Sequence, residues 1–333
     1  MRKSICAAGA AAAFLLFAPV PAGAQPLNAD SKGNVVFAAP TYASIVEMHA
    51  DKASAAGKAA IYIWLPDGAG PFPAVMISHT VGGWNDAVEG AAAKLLLAQG
   101  YAVAGLDHFG PRGLKPPLGK GFSTATAASD ALLALKLLAT HPKIDNSRIG
   151  IVGYSMGGVA AQLSAYEYLA ARYAGEGGPR FAAHVSVYGT SLGLALDGAR
   201  TMTGAPLLML VAGKDETAPV RKMEQMVALV KAAQPAARIE MVVYPDAHHA
   251  WNNPALSRPT EGGFHSGSCP IFDLGRAFGA IAADGSRQAF APQAAVACTR
   301  AGGKYTMLHD AKTAQQADAA MLAFLARHLK ASS

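Results

Sequence analysis

Residues 149–158 read Ile-Gly-Ile-Val-Gly-Tyr-Ser-Met-Gly-Gly, an apolar strand pattern that runs directly into a tight turn. The first six are apolar or small at successive positions, as in a strand covered on both faces. Gly153 and Gly157 flank Ser155 in a Gly-x-Ser-x-Gly arrangement, in which small residues let the strand and a following helix approach closely. Residues 159–171 predict that helix. Because helix N-termini offer free N–H groups to a developing negative charge, Ser155 is a candidate nucleophile.

Short β-like runs alternate with helical segments along the rest of the chain. Several runs are apolar at every position, whereas Ala, Leu and Met recur at helical spacing between them. The alternation predicts an α/β fold with a mostly parallel central sheet and helices on both faces. The predicted strands are 59–65, 74–78, 102–107, 149–154, 183–188, 207–212 and 239–244, and the predicted helices are 87–98, 124–140, 156–173, 220–233 and 311–329.

The first 24 residues have the three parts of a secretory signal peptide. Arg2 and Lys3 precede an apolar run, and a small-residue cleavage pattern ends at Ala24. We therefore expect cleavage after Ala24 and a periplasmic or secreted protein. The apolar run is too short and too rich in alanine to span a bilayer, so no membrane anchor is expected. The remaining residues 25–333 contain no linker-like stretch and are predicted to form a single domain.

Residues 252–304 differ from the rest of the chain because they are rich in Gly, Ser, Ala and Pro and lack a clear period. We interpret them as an elaborated loop region. Two interpretations stay open: a wall or lid over the functional site, or a surface feature remote from it. The region contains Cys269 and Cys298, the two cysteines that remain after signal removal. In an oxidising compartment we predict that they form a disulfide, with two buried free thiols as the alternative.

The charge of the chain excludes some classes of partner. It carries 28 Lys and Arg against 22 Asp and Glu, a net charge of +6, which becomes +4 when Arg2 and Lys3 leave with the signal peptide. These residues form no basic stripe with interleaved aromatics, so no nucleic-acid partner is expected. The adjacent histidines 248 and 249 lack the spaced partners of a zinc site, and neither a metal ion nor a cofactor is expected. The sequence leaves the oligomeric state open.

A serine nucleophile requires an imidazole that accepts its proton and a carboxylate that orients the imidazole. Asp215 and His249 follow Ser155 in the chain, and each comes just after a predicted strand. Glu216 is the rival of Asp215, but the strand-Gly-x-Asp turn favours Asp215 and leaves Glu216 facing solvent. His248 is the rival of His249. Since neighbouring side chains diverge, we expect one base, His249, with His248 lining the entrance or supporting the loop.

The negative charge of a tetrahedral intermediate would need two N–H donors. The first is the N–H of Met156, the residue after the serine. The second is expected in the loop 78–83, which follows an early strand and ends in glycines, and Val81 is the candidate. The alternative interpretation of this loop is a plain turn.

These motifs together resemble the dienelactone hydrolase family, over about residues 59–329. Besides the segment around Ser155, the sequences Asp-His-Phe-Gly-Pro-Arg-Gly at 107–113, Arg-Ile-Gly at 148–150 and Tyr-Pro-Asp-Ala-His-His-Ala-Trp at 244–251 are each similar to a family signature. The resemblance implies an α/β-hydrolase fold and an ester-cleaving enzyme. It also supports His249, because the family's histidine is followed by Ala and an aromatic residue.

The chain departs from the family pattern at two places. Ser155 stands where the namesake enzymes carry cysteine, and residues 79–81 read His-Thr-Val where many relatives have His-Gly-x. The resemblance further suggests that Arg112 lies near the pocket, where it would bind a substrate carboxylate or brace a loop, and we favour bracing. Trp84 and Trp251, like Phe109 and Tyr188, are candidates for pocket lining or for the core.

The leading hypothesis is an exported serine hydrolase that cleaves a small-molecule or polymeric carboxylic ester through a Ser-His-Asp triad and an acyl-enzyme, without a cofactor. One alternative is a polyester or aromatic-ester hydrolase with the same triad. An amide substrate is also compatible, because acyl transfer uses the same groups. Another alternative is a non-catalytic binding protein on the same scaffold, for which a complete triad would have no use.

Overall fold

The computed structural model describes residues 25–116, 122–191, 193–196, 201–263, 267, 269–275, 279–282, 284–289 and 302–330. The predicted signal peptide lies outside these residues. The helices are α1 (Ile45–His49), α2 (Glu89–Ala98), α3 (Thr124–Leu138), α4 (Met156–Leu163), α5 (Glu167–Ala174), α6 (Val220–Ala233) and α7 (Ala311–Leu329). The strands are β1 (Gly33–Ala38), β2 (Lys58–Trp64), β3 (Phe72–Ser78), β4 (Ala102–Asp107), β5 (Ile144–Tyr154), β6 (Ala183–Val187), β7 (Gly193–Leu194), β8 (Leu207–Ala212), β9 (Ile239–Tyr244), β10 (Thr260–Glu261), β11 (Ile271–Asp273), β12 (Gly279–Ile281), β13 (Arg287–Gln288) and β14 (Thr306–Met307).

The central sheet has eight strands in the order β1-β2-β4-β3-β5-β6-β8-β9. The pairs β1/β2 and β2/β4 are antiparallel, and every later pair is parallel. Parallel neighbours place their carboxyl ends at one edge of the sheet, and loops from several strands meet there. The predicted α/β fold with a mostly parallel sheet is confirmed.

Helices cover both faces of this sheet, which explains why its central strands are apolar at successive positions. Every residue of β6 and β8 is buried. Helices α3, α4 and α6 contribute to the core on one face, and α2 and α7 contribute to the core on the other. The helices pack so closely on the strands that some strand positions have no room for a side chain. At Gly150, a Cβ atom would lie 2.8 Å from a methyl carbon of Leu329. Strand β9 lies at an edge of the sheet and is largely exposed.

The seven predicted strands are present, but the structure contains elements that the sequence prediction lacks, and it divides one predicted helix. Strand β1 was not predicted and adds an antiparallel edge beside β2. The predicted helix 156–173 is two helices, α4 and α5, separated by a turn in which the Tyr166 N–H donates to the Leu163 carbonyl. The turn lets Tyr166 form a β-bridge with Met202, a tertiary contact that helical spacing does not reveal.

The elaborated region contributes β11, β12 and β13 to a four-stranded sheet in the order β13-β12-β11-β7, and it contributes β10 to a separate two-stranded ribbon with β14. The small sheet contacts helix α6 through a hydrogen bond from the Gln225 side chain to the Ala282 carbonyl. Cys269 is buried, and Cys298 lies outside the described residues, so the pairing of these cysteines stays a prediction. Among the described residues, no helix is long and apolar enough to cross a membrane.

Candidate active site

Ser155 occupies the turn between β5 and α4 with φ 52° and ψ −110°. Positive φ is uncommon for a residue with a side chain, and the cost of holding it falls on the surrounding packing. Both flanking glycines are required by that packing: a Cβ atom on Gly153 would overlap the Gly157 carbonyl, and one on Gly157 would overlap the Ser78 carbonyl. The serine side chain is therefore presented at the end of the strand, directly ahead of the helix.

The structure brings Ser155, His249 and Asp215 together at the carboxyl edge of the sheet. The Ser155 Oγ atom lies 3.0 Å from His249 Nε2, and His249 Nδ1 lies 2.7 Å from Asp215 Oδ2. His249 is 4 % exposed and Asp215 is 3 % exposed, whereas Ser155 is half-buried. The arrangement is able to carry a proton from the serine hydroxyl to the imidazole while the carboxylate fixes the imidazole tautomer.

The surroundings of Asp215 keep its carboxylate ionised. Burial alone would raise the pKa of Asp215, but the charge of His249 and hydrogen bonds from His249 and Thr217 outweigh it, so the pKa is lowered. Thr217 donates to Oδ1 through both its N–H, at 2.8 Å, and its hydroxyl, at 2.7 Å. The role of Thr217 was not predicted, although an Asp-x-Thr spacing after a strand is a signal for such a turn. Glu216 is exposed, and its carboxylate accepts from the Thr306 N–H.

Two tyrosine rings flank the His249 imidazole. The ring centroid of Tyr188 lies 4.9 Å from that of His249, and the ring centroid of Tyr305 lies 5.2 Å from it, both with edge-to-face geometry. His248 is half-buried, and its Nδ1 atom has no hydrogen-bond partner among the described residues. Tyr305 was missed by the sequence analysis, because no motif links it to a histidine 56 positions earlier.

Both candidate oxyanion donors have N–H groups that no described residue accepts. Met156 is the first residue of α4, where backbone N–H groups lack intrahelical acceptors. In the early loop, the Thr80 N–H donates to Glu89 and the Gly83 N–H donates to the Thr80 carbonyl, whereas the Val81 N–H is not bonded within the described part of the chain. This pattern leaves Val81, among these three residues, able to donate to a ligand.

His79 fixes the peptide that carries the Val81 N–H. Its Nδ1–H donates to the Thr80 carbonyl at 2.7 Å, and its Nε2 atom accepts from the His108 N–H at 3.2 Å. Burial lowers the pKa of His79 to about 3, with the nearby His108 lowering it further, so the ring is neutral near pH 7. The Thr80 carbonyl and the Val81 N–H belong to one planar peptide group, so the bond to the carbonyl also orients the N–H.

Glu89 anchors the same loop from the start of α2. Its carboxylate accepts the N–H groups of Thr80, at 3.2 Å, and Asn85, at 2.9 Å. Burial raises the pKa of Glu89 to about 7, although these backbone hydrogen bonds favour the ionised form. The loop is therefore held by a carboxyl group that titrates near neutral pH.

A second serine–histidine–aspartate contact lies below the early loop. Ser78 Oγ lies 2.9 Å from His108 Nε2, and His108 Nδ1 lies 2.8 Å from Asp130 Oδ2. All three side chains are fully buried. Burial alone would raise the pKa of Asp130, but the charge of Arg112 and the His108 hydrogen bond outweigh it and the pKa is lowered. This array has no access to a substrate in the folded protein.

The structure corrects the candidate substrate-binding role of Arg112. Its guanidinium donates to both carboxylate oxygens of Asp130 at 2.8 Å, and its Nε–H donates to Thr41 at 2.9 Å. The backbone carbonyls of residues 39, 40 and 108 accept its remaining N–H groups, and the side chain is 4 % exposed. No donor is left for a substrate carboxylate. Arg112 braces the loop after β4, which is the alternative that the sequence analysis favoured.

The two tryptophans that were candidates for pocket lining lie in different environments. Trp251 is fully buried in the core, where its ring packs edge-to-face against that of Tyr188 with the ring centroids 4.8 Å apart. Trp84 stacks on Trp64 at 5.9 Å and packs against Gly105 of β4. Trp64 pairs with Val103 at the amino end of β4, away from the carboxyl edge where Ser155 lies. Trp251 is therefore a core residue, and a pocket-lining role for Trp84, which is half-buried, stays a prediction.

The sheet order and the position of Ser155, Asp215 and His249 at its carboxyl edge define the protein as an α/β-hydrolase. The model of the dienelactone hydrolase family matches residues 59–262, and the chain belongs to that family. The match ends earlier than the range 59–329 over which the motifs suggested a resemblance. Membership identifies the protein as an ester-cleaving hydrolase.

Comparisons with individual proteins agree with this assignment. A protein of Escherichia coli strain K12 named "Putative carboxymethylenebutenolidase" is 28 % identical over 198 residues, which cover 55 % of this chain and 69 % of that protein. A protein of the same name from Salmonella typhi is 29 % identical and covers 60 % of this chain and 73 % of its own length. The crystal structure titled "Putative Dienelactone Hydrolase" from Klebsiella pneumoniae subsp. pneumoniae MGH 78578 shares the fold, with a TM-score of 0.51 at 19 % identity over 89 % of this chain and all of that one. Among the described residues, no group of three His, Cys, Asp or Glu side chains is arranged to hold a metal ion.

Proposed function

We propose that this protein is an exported serine hydrolase that cleaves carboxylic esters through an acyl-enzyme intermediate. The observation that carries the proposal is the distance of 3.0 Å between Ser155 Oγ and His249 Nε2. Ser155 itself has φ 52° and directly precedes helix α4. A serine in this setting has both a base to accept its proton and nearby N–H groups to stabilise the charge that develops.

The first half of the reaction forms the acyl-enzyme. Ser155 Oγ attacks the ester carbonyl carbon as its proton passes to His249 Nε2, and Asp215 stabilises the resulting imidazolium. The carbonyl oxygen takes the electron pair and accepts hydrogen bonds from the N–H groups of Met156 and Val81. When the tetrahedral intermediate collapses, the bond to the leaving oxygen breaks and His249 gives its proton to the alcohol.

The second half returns the enzyme to its starting state. A water molecule gives a proton to His249 Nε2 and attacks the acyl carbon, and the same two N–H groups stabilise the second tetrahedral intermediate. The bond to Ser155 Oγ then breaks, the serine regains its proton and the carboxylic acid leaves. Each step uses the protein's own residues, water and the ester, and the balance of atoms requires no further reactant.

The proposal is tested by turnover of p-nitrophenyl esters of increasing acyl length, together with the intact mass of the protein during the reaction. We expect release of p-nitrophenol by the wild type and a mass increase equal to one acyl group where deacylation is slow. The Ser155→Ala variant should lose turnover by about 10⁴-fold or more and carry no acyl group. A folded wild type that neither turns over any ester of the series nor gains mass would contradict the proposal and favour a binding role.

We further propose that residues 1–24 direct export and are removed after Ala24, and that Cys269 pairs with Cys298 in the exported protein. Sequencing of the mature N-terminus is expected to start at Gln25, and an intact N-terminus in protein recovered from the cell envelope would contradict export by cleavage. Thiol blocking followed by electrophoresis with and without reductant tests the disulfide. Two blockable thiols in the native protein would contradict the pairing.

A further inference from the structure

Residues 305–308, which connect the elaborated region to α7, form hydrogen bonds with both loops that carry the acid and the histidine of the candidate triad. The Thr306 N–H donates to Glu216, the neighbour of Asp215, at 3.2 Å. The Leu308 N–H donates to the carbonyl of His249 at 3.2 Å, and Met307 forms a β-bridge with His249. This segment lies beyond residue 262, where the family match ends.

Tyr305 is the first residue of this segment to reach the imidazole. Its ring stands nearly perpendicular to that of His249, with centroids 5.2 Å apart and an interplanar angle of 82°. On another side the imidazole meets Tyr188, with centroids 4.9 Å apart. Edge-to-face contacts of this kind are directional, so two of them restrict the rotation of the imidazole about its side-chain bonds. That rotation is the motion that would move Nε2 away from Ser155.

The Tyr305 ring lies directly against Gly262, at a position that a side chain would occupy. The Gly262 N–H donates to the Tyr305 carbonyl at 2.7 Å, and a Cβ atom on Gly262 would overlap the aromatic ring of Tyr305. The next residue differs: a Cβ atom on Gly263 would meet nothing within 4 Å. Neither glycine has a positive φ, so alanine is compatible with the backbone at both positions. The pair therefore separates displacement of the ring from a general effect of alanine in this loop.

We propose that Tyr305 is a positioning residue for His249: the β10–β14 ribbon holds its ring against the imidazole and keeps Nε2 directed at Ser155. The proposal deepens the proposed function and rests on it for its kinetic consequences. It favours the wall interpretation for the two ends of the region 252–304, because Gly262 lies within that region, Tyr305 directly follows it, and the two residues meet beside His249.

Kinetics on four variants give the first test. A loss of base alignment affects the chemical step more than ground-state binding, and misplacement of a catalytic group by about 1 Å costs about 100-fold. We expect Tyr305→Ala and Gly262→Ala to lower kcat by about 10- to 100-fold with KM changed by less than about threefold. Tyr305→Phe, which keeps the ring, should recover most of the loss, and Gly263→Ala should match the wild type.

A spectroscopic measurement makes the test independent of turnover. The ring protons of His249 lie near the faces and edges of two aromatic rings, so displacement of Tyr305 changes their NMR resonances. We expect shifted His249 resonances in Tyr305→Ala and Gly262→Ala, with wild-type-like resonances in Gly263→Ala. Unchanged resonances in both displaced variants, or unchanged kcat alongside a working wild type, would overturn the proposal. An inactive wild type with shifted resonances would instead count against the proposed ester hydrolysis and leave the positioning contact standing.

Discussion

Two serine–histidine–aspartate arrays lie in the described part of this chain, and their hydrogen-bond lengths are nearly equal. The serine-to-histidine distance is 3.0 Å at Ser155 and 2.9 Å at Ser78, and the histidine-to-aspartate distances are 2.7 Å and 2.8 Å. Distances alone would thus give both arrays the same chemistry. The features around them differ in three ways that decide which array is able to act on a substrate.

The first two differences concern the serine. Ser155 is half-buried at a turn with φ 52° in front of α4, whereas Ser78 is fully buried at the end of β3. A substrate carbonyl is able to approach Ser155, and the N-terminus of α4 offers an N–H group to its oxygen. Ser78 has neither access nor such a helix start, and its carbonyl instead packs directly against Gly157 beneath the Ser155 turn.

The third difference is the charge around the aspartate. Asp215 accepts hydrogen bonds from the neutral donors of Thr217 and Ala218, so its negative charge is free to stabilise a protonated His249. Asp130 is paired with Arg112 through both carboxylate oxygens, which already neutralises it. The comparison teaches that exposure, backbone strain and the counter-ion of the acid, more than contact distances, distinguish a candidate active site from a structural network.

The largest expected effect is that of Asp215→Asn on catalysis. An amide in place of the carboxylate disfavours the tautomer in which Nδ1 carries the proton, and we expect kcat for ester hydrolysis to fall by about 10⁴-fold. The free energy of unfolding, measured in urea, should change little by comparison, because no Lys or Arg side chain in the described part of the chain forms an ion pair with Asp215. If kcat of Asp215→Asn stays within tenfold of the wild-type value, the claim that the two arrays differ in catalytic function is contradicted.

The matching substitution in the buried array should act on stability. Asp130→Asn leaves the Arg112 guanidinium buried without its counter-ion, and we expect the free energy of unfolding to fall by about 3–5 kcal/mol. The double variant Arg112→Met with Asp130→Asn is the control, since it removes the unpaired charge and should recover part of the loss. A decrease below about 1 kcal/mol in the single variant would mean that the pair does not brace the fold as described.

A smaller effect sharpens the comparison at the loop between the arrays. The folded pKa of Glu89, about 7, lies above its ordinary value of 4.5, so the folded protein binds this proton more tightly than the unfolded chain does. The stability contributed by protonated Glu89 is fully present below pH 4.5 and is lost as the pH rises through 7. At about 1.4 kcal/mol per pKa unit, the loss amounts to about 3 kcal/mol.

Urea unfolding between pH 4 and 8 tests this expectation on the wild type and Glu89→Gln. The neutral glutamine should flatten the part of the pH dependence that Glu89 causes, while the remaining pH dependence is shared by both proteins. Parallel stability curves for the two proteins over this range would contradict the assignment of the titration to Glu89.

The sequence was sufficient for the fold and for the residues that the site brings together, because both leave local signals. Strand and helix periods, the glycines around Ser155 and the strand-to-loop positions of Asp215 and His249 are short-range patterns. The roles of Arg112 and Trp251 could not be predicted, because they depend on which distant side chains pack against them and no local pattern encodes such contacts. The contact among Ser78, His108 and Asp130 was not predictable either, because His108 lies in the 107–113 signature but meets the other two residues only through tertiary packing.

The central claim is that Ser155 is an activated nucleophile and Ser78 is not, and labelling with a fluorophosphonate tests it most directly. The wild type, Ser155→Ala and Ser78→Ala would be treated with the reagent, followed by intact mass and mapping of the modified peptide. The account predicts one adduct on Ser155 in the wild type and in folded Ser78→Ala, and none in Ser155→Ala. An adduct on Ser78, or labelling that survives in Ser155→Ala, would contradict it.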